Sequence, residues 1–139
     1  MPDVSKDLKT LRGGLLRLHG VLLAIERGAY ERSSGRLAPA EMLQLLLHDE
    51  RFQWLRPLSS LVAEIDTALA EARTTGEPLD STLAADLLAR ASAALAPAEP
   101  AGSRYQHLLQ EEPDAILAHA EVARALRDAG VKDVVWPLN

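Results

Sequence analysis

The chain has no cysteine in its 139 residues. Disulfide staples, thiolate metal sites and cysteine nucleophiles are excluded together. The absence also suits a reducing compartment, and a cytoplasmic protein of bacterial style is the expectation. β-Branched residues are scarce: 10 Val plus Ile stand against 26 Leu and 23 Ala. Leu and Ala favour helices while β-branched side chains favour strands, so the composition argues for an all-α fold. No apolar run exceeds five residues, Val21 to Ile25 being one. A bilayer span needs about 20, so no membrane segment is expected. The opening Met1 to Asp7 is too polar for a signal peptide. Lys and Arg occur singly and the formal net charge is −5, which argues against nucleic-acid binding, because that needs a basic face.

Catalytic motifs are missing too. Ser59 and Ser60 follow a proline within helical sequence, not the strand-to-helix elbow that exposes a hydrolase serine. Gly13-Gly14 sits inside a helical pattern and lacks the Lys-Ser/Thr ending of a phosphate loop. Helical di-metal sites use Glu-x-x-His pairs, and none of the 4 histidines has a carboxylate three residues before it. Only His107 and Glu111 have i, i+4 spacing, opposite the apolar stripe of their helix. No metal and no cofactor is expected, and the balance leans away from an enzyme.

What is present is helical periodicity. Leu8, Leu15, Leu22 and Ala29 form one heptad line and Leu11, Leu18 and Ile25 the other, predicting a first helix from Val4 to near Tyr30. After the Ser33 to Arg36 loop, Pro39 opens a second helix whose Met42, Leu43, Leu45, Leu46 and Leu47 are apolar nearly all round. That pattern predicts a central helix, ended or kinked at Pro57. Leu58, Leu61, Val62, Ile65, Leu69 and Ala72 then form an amphipathic stripe that closes at Gly76. Asp80 or Ser81 caps a further helix that buries Leu83, Leu87, Leu88, Ala91 and Leu95. Residues 96–103 read as a mobile Pro/Ala/Gly linker. A short helix around Tyr105, Leu108 and Leu109 follows. The last helix runs from Pro113 to Gly130 with Ile116, Ala120, Ala123 and Leu126 inward, and a tail carries Val134, Val135 and Trp136.

The candidate site lies on the first helix. Arg12, His19 and Glu26 recur every seven residues beside the leucine seam, with Tyr30 almost in line. Ionisable groups facing a core must be paired, or held at its edge where long side chains reach water. A step of seven residues is about 10.5 Å, too far for His19 and Glu26 to share one ion unaided. His119 falls among inward positions of the last helix, which makes it the natural partner of that file. A ligand pocket between the first and last helices would therefore use Arg12, His19, Glu26, Tyr30 and His119. A second group, Trp54, Arg56 and Ser59, is a ligand ledge, a partner hot spot or a packed helix corner, since Trp and Arg dominate binding hot spots. Asp66 is placed to pair with Arg56 or Arg73.

Three stretches carry a resemblance: Leu18-His19 through Tyr30-Glu31, Phe52-Gln53-Trp54-Leu55-Arg56-Pro57-Leu58-Ser59 through Asp66, and Tyr105 through His119. Together they resemble a family of small uncharacterised bacterial helical proteins across nearly the whole chain, the Trp-Leu-Arg-Pro-Leu-Ser block being the most specific part. The resemblance implies a compact helical fold and attaches no activity or cofactor. The expectation is one domain, 1–139, a bundle of four main helices with a short fifth and an extended C-terminal tail. Its core is expected from the first helix, the kinked second and third, and the last. The expected function is a non-enzymatic interaction or regulatory protein, self-association and a possible dimer included. The alternative is a small-ligand binder using the polar pocket.

Overall fold

The leucine seam of the opening residues builds the longest element of the structure, a computed structural model that describes residues 4–132 and 134. Helix α1 spans Val4–Ser34 and sinks Leu8, Leu11, Leu15, Leu18 and Leu22 completely. The other elements are α2 (Pro39–His48), α3 (Glu50–Gln53), α4 (Arg56–Thr75), α5 (Ser81–Ala94), α6 (Ala101–Glu111) and α7 (Pro113–Asp128). Among the described residues there is no strand.

α1 is the axis of the bundle. It packs along α7 and α4, α5 lies against α4 and α7, and α6 folds back onto α7. The main core joins the seam of α1 to Leu61 and Ile65 of α4, Leu87 and Ala91 of α5, and Val122 and Leu126 of α7. Close approach of α1 and α7 depends on Gly14. A Cβ at that position would lie 3.3 Å from a Val122 methyl, whereas Gly13 and Gly20 have open space around them. The stop of α4 is equally local: Gly76 takes φ 73°, a left-handed conformation that glycine adopts without steric cost. Asp80 caps α5 by accepting from the Thr82 N–H at 2.8 Å.

Several expectations need correction. The second helix is peripheral rather than central. Only Met42 of α2 is buried, and it joins Leu37 and Phe52 in a small satellite cluster over the Leu23 and Tyr30 end of α1. All-round apolarity shows that a helix has two sticky faces; it does not say that this chain covers both. The helix also ends earlier than Pro57. Asp49 leaves the helical region and caps α3 through the Arg51 N–H at 2.8 Å. Leu83 points outward, because the buried phase of α5 runs through Ala84, Leu87 and Ala91. The stretch read as a linker is shorter than 96–103, since Ala101–Glu111 is already helix. Val131 and Val134 pack against the main core, while Val135 and Trp136 lie outside the described residues.

The glycines predict opposite responses on one helix. Gly13→Ala is expected to raise unfolding free energy by up to about 1 kcal/mol, from helix propensity alone. Gly14→Leu is expected to lower it by about 1–3 kcal/mol, by forcing α7 away from α1. Urea unfolding of both variants checks this, and equal effects would exclude a close contact at Gly14.

Candidate functional site

Two clusters of side chains gather the polar residues, and they lie on opposite sides of the corner between α3 and α4. The first is built on Glu26. Its carboxylate is only 5% exposed, at the edge of the α1 seam. A buried carboxylate must find donors. Trp54, in the turn between α3 and α4, donates Nε1–H to Oε2 at 2.9 Å. Arg104 of α6 donates Nε–H to Oε2 at 3.2 Å and also Nη2–H to Oε1, a two-pronged pair. That bond holds the Arg104 pKa above its usual value.

The cluster continues inward. The Trp54 ring lies 6.3 Å from Tyr105, and Tyr105 lies 5.6 Å from the His119 ring. The Tyr105 hydroxyl and His119 Nδ1 are 2.6 Å apart, both groups fully enclosed. Burial pushes the Tyr105 pKa well above its ordinary value, so the phenol stays protonated at neutral pH. Arg104, Glu26, Trp54, Tyr105 and His119 thus form one chain of contacts across four segments. Each member is engaged with another, which suits positioning of helices more than turnover of a substrate.

The second cluster is a half-open groove of about 270 Å³ between α1, α2 and α4. Leu46, Phe52 and Leu55 form its apolar floor, and Leu43 and Leu47 its outer wall. These two leucines stand one helical turn apart and are 55% and 40% exposed. His19, Arg56 and Ser59 supply its polar atoms. Ser59 is turned inward on its own helix, its Oγ–H donating to the Arg56 carbonyl at 3.0 Å. The side chains of His19 and Arg56 have no hydrogen-bond or ion-pair partner among the described residues. Burial alone lowers the His19 pKa, so its imidazole is mostly neutral at pH 7.

The five residues of the expected pocket are not brought together. Arg12 pairs with Asp66 across α1 and α4, so Asp66 serves neither Arg56 nor Arg73. His19 faces the groove. Tyr30 packs against Phe52 at 6.2 Å, with the Arg51 guanidinium 5.2 Å from its ring centre. His119 meets Tyr105, and the Tyr105–Trp54 pair links it to Glu26. The Trp54, Arg56 and Ser59 group is divided as well: Trp54 turns to Glu26, while Arg56 and Ser59 edge the groove. Sequence reasoning missed Arg104 and the exposure of Leu43 and Leu47. Arg104 had a usable signal, since it sits next to inward Tyr105 and therefore at the boundary of the α6 stripe. The leucines had none.

Among the described residues no group of three or more His, Asp or Glu side chains is placed to hold a metal ion, and no helix is long and apolar enough to cross a membrane. No protein-family model, curated protein or solved structure matches the chain.

Removing Arg104 leaves the Glu26 carboxylate buried beside a single N–H. Arg104→Ala is expected to cost about 2–3 kcal/mol, less than for a fully enclosed pair because Arg104 is 39% exposed. Adding Glu26→Gln to that variant should recover about 1 kcal/mol, since a neutral amide is cheaper to bury. Urea midpoints test both, and an Arg104→Ala loss below about 0.5 kcal/mol would show the pair to be unimportant. His19 gives a pH signature. Its folded pKa lies below the ordinary 6.5, so the unfolded chain binds the proton more readily and stability falls as pH drops through that value. Between about pH 7.5 and 5.5, wild type should lose more stability than His19→Gln. Parallel pH curves would show that the imidazole is fully hydrated.

Proposed function

We propose that the chain is a non-enzymatic interaction protein that receives another polypeptide on the face formed by α2 and its groove. The reading rests on one observation: Leu43 and Leu47 stand largely uncovered at the rim of an apolar groove. Covering the exposed part of both contributes on the order of 2 kcal/mol, so a partner must also use the flanking polar groups. The size of the groove favours a side chain over a whole small molecule. Ligand pockets span roughly 300–1,000 Å³ and enclose most of the ligand, whereas this groove is smaller and half open. An amphipathic helix laid across it fits the helix-in-groove mode of recognition.

A photocrosslinking amino acid at position 43 or 47, with position 71 on the exposed side of α4 as control, tests the reading in living cells. A polypeptide adduct is expected at 43 and 47 and not at 71. Leu47→Lys should abolish the adduct at 43 while changing the urea midpoint little. Equal labelling at all three positions, or none at any, would defeat the proposal.

A further inference from the structure

We propose that the groove takes a second copy of this chain, presented by the outer face of α7, with Leu117 seated between Leu43 and Leu47 and Asp114 against Arg56. The inference rests on the interaction reading above and names its partner. Its first support is apolar. Leu117 is 68% exposed, the most exposed of the large hydrophobic side chains on the described surface. A groove walled by two exposed leucines and a helix carrying one more present apolar surfaces that can cover each other.

Its second support is charge. Arg56 has no partner among the described residues, and α4 begins there, so the helix dipole adds to the same positive end. On α7, Asp114 lies three residues before Leu117 and Glu121 four residues after it, both on the face that carries the leucine. Glu121 is already held by Arg17, which leaves the Asp114 carboxylate as the group to meet Arg56. Arg124 also lies on that face, seven residues and therefore about 10.5 Å from the leucine. A cation beside an apolar groove thus faces a carboxylate beside an apolar plug. The pairing is heterologous, because groove and plug are different surfaces, so copies add head to tail and growth beyond a dimer is expected. The contact is one helix wide and belongs with small, transient interfaces.

Sedimentation velocity of the full chain over rising concentration tests this, with charge reversal at each side. The wild-type sedimentation coefficient is expected to climb past that of a dimer. Arg56→Glu and Asp114→Arg should each hold the chain as a monomer, and the two together should restore growth. Both positions are exposed, and thermal melts confirm that each variant folds. A crosslinker at position 43 of the purified chain should label a peptide from residues 113–128 of another copy. A strict monomer at all concentrations, or association indifferent to both reversals, overturns the inference. If position 43 labels a different protein in cells while the purified chain stays monomeric, self-docking is overturned and the interaction reading stands.

Discussion

The Glu26 carboxylate sits where an α-helical bundle tolerates charge least, and its need for donors organises the surrounding chain. One N–H comes from the α3–α4 corner and two from α6, so two segments distant in sequence must meet at one place on α1. Hydrophobic burial alone would let α6 slide or rotate against the seam, because leucine contacts are not directional. The two-pronged Arg104 pair and the indole N–H are directional, and they select one register. Tyr105, the neighbour of Arg104, is thereby turned inward to meet His119 of α7. The polar chain works as a set of pins through an otherwise oily interface.

The same constraint explains why a surface remains uncovered. Turning Trp54 toward Glu26 sets the rotation of the corner, and Arg56 and Ser59 then fall on the opposite side of it, next to His19. α2 is left to cover only the far end of the polar file, with Met42, Leu45 and Leu46 over Leu23, Tyr30 and Phe52. Its other face, with Leu43 and Leu47, is left exposed. Two exposed leucines thus remain at the groove, beside an arginine with no ion-pair partner among the described residues.

Other polar residues have plainer roles. The Arg12–Asp66, Arg17–Glu121 and Arg90–Glu64 pairs bridge α1 to α4, α1 to α7 and α5 to α4. All are substantially solvent-exposed, where ion pairs contribute little individually. They favour particular helix neighbours without adding much to stability.

The helices themselves were legible in the sequence for a local reason. Leucine periodicity, Pro39, Asp80, Gly76 and Pro113 act within a turn or two of chain, so the class of fold and most element boundaries follow from neighbouring residues alone. The inward position of Tyr105 and His119 followed from the same periodicity. Tertiary structure decided what periodicity cannot express: which apolar face is covered, and which donor reaches which acceptor. Glu26 and His19 look alike on a helical wheel, a seven-residue step apart. One is enclosed because Arg104 arrives from 78 positions away, and the other lines a groove where no side chain among the described residues pairs with it. Pairing across such distances depends on how whole helices dock, and no short stretch of sequence carries that information.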